Sequence, residues 1–202
     1  MLIVAQFDVR LIRVQREHLA MILNWRNSAH VRQNMFYQEL LNENDQLTWF
    51  ESINNANNYY FIIEYLGINV GLIHAKNVTE KEQFGEGGIF IGEFAFLDSW
   101  ASVMASLCLL NFIFIKLTFT KSVVNVRTEN KAAVSYNKQL GYKIDFQDEK
   151  VVRMSLSKEN FLEKTARLNK TLCKISQVNA PLSLVGKKAA NNLAEINRCV
   201  ER

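Results

Sequence analysis

Between Asp98 and Lys116 the chain runs for seventeen residues, Ser99 to Ile115, without a formal charge. Few environments accept such a stretch: a bilayer, or the interior of a protein large enough to bury a helix on all sides. It stops short of the roughly 18 to 20 apolar residues that a spanning helix needs, and it carries Ser99, Ser102, Ser106 and Asn111. We therefore expect a buried helix on a sheet and no membrane span. The turn that introduces it, Leu97-Asp98-Ser99-Trp100, leads into the unpaired amides of a helix N-terminus, which makes the first turn a candidate ligand site as well.

The 202 residues suffice for one sizeable core with an appendage, and 49% apolar with 22% charged residues is ordinary for a globular protein. One proline and eight glycines leave no room for a flexible linker. Three widely spaced cysteines, Cys108, Cys173 and Cys199, suggest neither a disulfide framework nor a zinc site. No metal is expected. The opening MLIVAQFDVR reaches Asp8 too soon for a signal peptide, so a cytoplasmic location is expected. Residues 1–154 hold 15 Lys and Arg against 16 Asp and Glu, while 155–202 hold 9 against 4, so the positive charge belongs to the tail. A basic excess confined there, without a reading motif, argues against a nucleic-acid partner.

Periodicity divides the chain into elements. VRLIRV (9–14) alternates as a strand, and the next segment turns to helical spacing with Leu19, Ile22 and Leu23 on one face. Ser28 is expected to cap a short helix, AHVRQNMF, and Asn44 a third, DQLTWFESI. YYFIIEY and INVGLIHA, joined by Leu66-Gly67, read as a hairpin, GGIFIG (87–92) as a strand, and SVVNVRT as another that feeds the helix NKAAVSYNKQLGY, ending at Gly141. YKIDFQ and KVVRMSLS close the domain as a hairpin. The expected class is α/β (α+β): a mixed, mostly antiparallel sheet of about seven strands flanked by helices, over residues 1–155. Residues 156–202 are expected as a helical extension, with Ser157 as N-cap, a turn at Pro181 and a second helix KKAANNLAEINRCV, packing on the domain or on a second copy in a homodimer.

The segment from Glu86 to Tyr142 resembles the GNAT superfamily of acyl-CoA-dependent N-acyltransferases. NKAAVSYNKQLGY is similar to that family's Asn-x-x-Ala helix, with Asn130, Ala133, Gly141 and Tyr142 at matching spacing, and Phe114 sixteen residues upstream at an expected aromatic position. The opening, with Trp25-Arg26-Asn27, Val31-Arg32 and Met35, resembles the subgroup of ribosomal-protein and amino-sugar acetyltransferases. The resemblance spans about residues 7–155. It departs at the phosphate loop, where the family's Arg/Gln-x-x-Gly-x-Gly/Ala falls on Leu97-Asp98-Ser99-Trp100-Ala101-Ser102. Backbone amides and small side chains can still cradle a pyrophosphate there, whereas Asp98 would repel it unless turned away.

The resemblance implies acyl-CoA as co-substrate, held by the backbone of Phe90 and Ile91, by Leu97, Ser99, Ala101 and Ser102, and by Asn130 and Asn137. N-acylation needs a neutral amine, a site for the developing oxyanion and a means to stabilise the leaving thiolate. Glu86 and His74 are the candidate bases. The family's tyrosine acid falls on Asn137, with Tyr136 one residue earlier, so these two are the candidates at the sulfur. Arg26, Asn27 and Arg32 are candidates for the acceptor, since arginines bind phosphate well. The implied reaction is acyl transfer to the amine of a nucleotide-linked (dTDP or UDP) amino deoxysugar, a small-molecule substrate for surface polysaccharide, lipopolysaccharide or other glycan precursors. A protein N-terminal acetyltransferase and a non-catalytic binding protein of the same fold are the alternatives.

Overall fold

The computed structural model describes residues 2–79, 84–177 and 182–185. Nine strands form one sheet: β1 (Ile3–Gln6), β2 (Val9–Arg13), β3 (Tyr59–Tyr65), β4 (Ile68–Thr79), β5 (Phe84–Ile91), β6 (Lys121–Arg127), β7 (Lys143–Gln147), β8 (Val151–Ser157) and β9 (Ser183–Val185). Their order is β7-β8-β6-β5-β4-β3-β2-β1-β9, antiparallel throughout except between β5 and β6. The helices are α1 (Leu19–Asn27), α2 (Ala29–Arg32), α3 (Glu43–Ile53), α4 (Ala101–Asn111), α5 (Lys131–Gln139) and α6 (Lys158–Ile175).

Nine strands replace the expected seven or so. Both additions lie at one end of the sheet, β1 before the first expected strand and β9, the edge strand beyond it, within the tail that was expected to be helical. The second tail helix and the turn at Pro181 lie outside the described residues.

The sheet is covered on both faces, which is why β3 reads as an uninterrupted apolar run. Tyr59, Phe61 and Ile63 face the core that holds α4, while Tyr60 and Ile62 face Ile22 and Trp25 of α1 and Ile53 of α3. Nine of the eleven residues of α4 are buried, and the helix lies across β1 to β5, so the charge-free run is enclosed by the sheet. The run then widens into a single π turn, Phe112–Lys116, in which the Leu117 N–H bonds the Phe112 carbonyl at 3.0 Å.

Local chemistry fixes the joints. Leu66 and Gly67 both have positive φ, 50° and 83°, as a two-residue hairpin loop requires. Asn42, two residues before the expected Asn44, caps α3; its side chain accepts from Asn44 and Asp45 amides while the Asp45 carboxylate accepts from the Asn42 amide. Ser28 precedes α2, but its hydroxyl donates to the Trp25 carbonyl at 2.6 Å, and α2 ends at Arg32, short of the expected Phe36. The buried Arg13 guanidinium donates to the carbonyls of Asn58, Ile53 and Asn55, tying the end of α3 to β2; burial lowers its pKa to about 10.

Gly92, just past β5, lies under the indole of Trp25, whose Nε1–H donates to Glu93 at 2.8 Å. A Cβ at Gly92 would overlap that indole. Gly92→Ala is expected to destabilise the fold by about 1 to 3 kcal/mol, read as a lowered urea midpoint with an unchanged slope.

Candidate active site

β5 and β6 pair over four positions, from Phe84 opposite Lys121 to Gly87 opposite Val124, and then separate. Each remains hydrogen-bonded on its outer side, β5 to β4 as far as Ile91 and β6 to β8 as far as Arg127. The gap opens into a cavity of about 620 Å³ that reaches from α5, at Asn130, Ala133 and Asn137, past Phe90 and Ile91 to α1 and α3.

Glu86 and Lys76 face each other across β5 and β4 as an ion pair of 3.0 Å, both on the cavity wall. His74 stands opposite Gly88, where β5 leaves β6, and its imidazole fills the space that a side chain at Gly88 would take. The ring stacks on Tyr60 with centroids 4.5 Å apart, and its Nδ1 is buried without a hydrogen-bond partner among the described residues. Desolvation first, then Lys76, push its pKa down to about 3. Such an imidazole stays neutral at physiological pH, and both candidate bases, Glu86 and His74, stand on the cavity wall.

Tyr136 reaches the cavity from α5, but its hydroxyl donates toward the Ser102 carbonyl at 3.0 Å and lies 2.8 Å from Ser106 Oγ. Burial raises its pKa to about 12. That hydroxyl links α5 to α4. Asn137 also lines the cavity; one of its two amide hydrogens goes to the Ala133 carbonyl at 2.9 Å, and the other is left for a ligand. The Asn130 side chain accepts from the Ala133 amide at 3.0 Å, which makes it the N-cap of α5.

The start of α4 is more self-contained than the phosphate-loop expectation implies. Of Leu97, Ser99, Ala101 and Ser102, only Leu97 is on the cavity wall. Ser99 donates to the Phe96 carbonyl at 2.7 Å and accepts from the Ala101 amide at 3.2 Å. The first intrahelical bond runs from Met104 to Trp100, so the amides of Ser102 and Val103 precede the ladder and are available to an anion. Asp98 is exposed.

At the other end, Arg26 lines the cavity from α1; its Nη1 is buried without a partner among the described residues, and desolvation lowers its pKa. Asn27 does not reach the cavity. It donates to the Leu41 carbonyl at 2.8 Å and accepts from the Leu41 amide at 2.9 Å, closing the loop between α2 and α3. Arg32 is also off the wall. Two residues missed in the sequence stand there instead: Gln46, buried with Nε2 unpartnered, and Arg127, which donates to the Met35 carbonyl at 3.3 Å and pairs with Glu129. The available signal for Gln46 was its place at the head of the apolar stripe that continues through Phe50 and Ile53, where a polar residue is out of pattern.

Arg26 Nη1, Gln46 Nε2 and His74 Nδ1 are the three buried side-chain polar atoms without a partner among the described residues, and all three belong to this cavity. A buried unsatisfied group costs about 1 to 3 kcal/mol, a cost that a ligand can offset. Among the described residues no cluster of His, Cys, Asp or Glu could hold a metal ion, and no helix is long and apolar enough to cross a membrane.

His74 also generates a pH dependence. It is neutral when folded and takes up a proton near pH 6.5 when unfolded, so the unfolded chain binds more protons between pH 6.5 and about 3. Its stabilising contribution is complete above pH 6.5 and falls as pH drops, by up to about 1.4 kcal/mol per pH unit. Urea midpoints at pH 7, 6 and 5 are expected to show a shallower decline in His74→Phe than in the wild type.

No family model matches the chain, and neither does any curated protein sequence. Solved structures do. The spermidine N-acetyltransferase of Vibrio cholerae in complex with CoA and spermine superposes with a TM-score of 0.67 at 18% identity, over 77% of this chain and 98% of that one. FdhC, a nucleotide-linked sugar GNAT, gives 0.69 at 20% identity over 82% and 95%. An acetyltransferase of T. thermophilus gives 0.70 at 18% identity over 84% and 96%. The chain shares its fold with these solved acetyltransferases.

Proposed function

We propose that the chain is an acyl-CoA-dependent N-acyltransferase whose acceptor is the amino group of a nucleotide-linked amino deoxysugar, acting in the cytoplasm on glycan precursors. One observation carries the reading: the separation of β5 from β6 beyond Gly87 and Val124 opens one cavity to α5 on one side and to α1 and α3 on the other. Two substrates can therefore meet beside a row of unpaired backbone groups. Acyl-CoA, when bound, supplies an activated acyl carbon.

The residues fit that co-substrate. The Gly92 amide bonds the Val70 carbonyl, so alternation along β5 turns the Phe90 amide to β4 and the Ile91 amide to the gap, where it suits the acyl oxygen or an extended arm; Asn137 has an amide hydrogen to spare, and the first-turn amides of α4 suit phosphate. Glu86 accepts the proton that the attacking amine loses, directly or through water, and Lys76 holds its carboxylate in place. With the Tyr136 hydroxyl engaged, the thiolate leaves without a proton from that side chain and is met by Asn137.

Charge supports an anionic acceptor. The acidic groups on the cavity wall are already used, Glu86 by Lys76 and Asp45 by the cap of α3, whereas Arg26 has no counter-charge among the described residues. A polycationic amine would find no free carboxylate; a nucleotide diphosphate would find a free guanidinium.

The test is CoA-thiol release from acetyl-CoA over a panel of dTDP- and UDP-linked amino sugars, polyamines and amino-terminal peptides. Release is expected with the sugar nucleotides, and release with peptides alone would reject the acceptor assignment. Glu86→Gln is expected to lower kcat at pH 7 by about 10²-fold or more, with CoA affinity retained. Ser102→Trp, which crowds the first turn of α4, is expected to weaken CoA binding at least about tenfold, and unchanged affinity would place the phosphates elsewhere.

A further inference from the structure

The cavity wall asks for particular partners. Arg26 projects from α1 and Gln46 from α3, helices that pack against each other on the acceptor side of the sheet, and each brings a buried nitrogen with no hydrogen-bond acceptor among the described residues. Both atoms are donors, one of them cationic. The α1–α3 contact is built on Ile22, Trp25, Ile53 and the partly buried Trp49 and Phe50. Two donors aimed into a cavity and unused by the fold describe a receptor for an oxyanion.

We infer that Arg26 and Gln46 form one acceptor subsite that takes hydrogen bonds to an oxyanion of the amine substrate, so that the preferred acceptors are amines bearing a phosphate or carboxylate. The inference rests on the acyltransferase reading for the identity of the amine, but not for the binding of the anion. Arg26 supplies charge and Gln46 supplies register: the amide donor on α3 fixes which oxygen faces the guanidinium on α1. The subsite accordingly acts on binding and leaves the chemical step to residues at the splay.

The experiment uses the full chain as wild type, Arg26→Met, Gln46→Leu and Arg26→Lys. Without ligand, both apolar variants are expected to keep or raise the melting temperature, because each removes an unsatisfied buried group; a fall of more than about 5 °C would mark the side chains as structural and overturn the proposal. With acetyl-CoA saturating, KM for an anion-bearing amine is expected to rise at least about tenfold in Arg26→Met and Gln46→Leu. In both, kcat stays within about threefold and KM for acetyl-CoA is unaltered, while Arg26→Lys recovers part of the loss. Thermal shifts with UDP, inorganic pyrophosphate and serine separate the phosphate from the carboxylate source, and whichever stabilises the wild type should lose its effect in Arg26→Met.

The two readings fail separately. Thiol release restricted to uncharged or polycationic amines overturns the subsite and leaves acyl transfer standing. A wild-type shift with an anion that vanishes in Arg26→Met, with no thiol released from any acceptor, overturns acyl transfer and leaves the subsite standing. No shift with any of the three anions overturns the subsite.

Discussion

Four residue pairs of parallel sheet, and the fact that there are only four, organise this molecule. Two adjacent strands can separate inside a sheet only if the backbone groups they release are not stranded in a dry interior. Here each strand stays paired on its far side along the divergence, β5 with β4 and β6 with β8, so the divergence frees one edge of each. α4 fills the space beneath with side chains that carry no charge, and α5 crosses the mouth of the gap, tied to α4 through the Tyr136 hydroxyl. The cavity is a consequence of where pairing stops.

The polar groups on that wall divide into those satisfied by the protein and those left open. Asn130, Asp45 and Tyr136 spend hydrogen bonds holding helices and loops in place. Arg26, Gln46 and His74 do not. His74 stacks on Tyr60 and fills the space above Gly88, and burial lowers its pKa.

Much of this was legible in the sequence. The buried helix, the Leu66-Gly67 hairpin, the cap at Ser157 and the left-handed Gly141, with φ of 101°, follow from composition, spacing and turn chemistry. β1 was hidden because its turn to β2 lacks the usual residues: Phe7, a large buried side chain, takes φ of 57° there. β9 is three residues long, and its pairing with β1 joins positions far apart in the chain, which no local pattern reports. The roles of Asn27 and Tyr136 were illegible for a different reason. A side chain's chemistry names what it can do, whereas its neighbours decide what it does, and Leu41, Ser102 and Ser106 are neighbours only in space.

The same two strands have a consequence for cooperativity. The Asp8 carboxylate in the β1–β2 turn accepts from the Ser176 hydroxyl and the Gln177 amide, each at 2.9 Å, at the far end of α6. β9 then adds itself to β1, while Phe161 and Leu172 of α6 are buried in the same core as α4. The last described segment is thus stitched to the first strand. The helix that follows β8 is not cargo on a finished domain: the ends of the described chain hold one another, and the sheet takes one of its two edge strands from the last described residues.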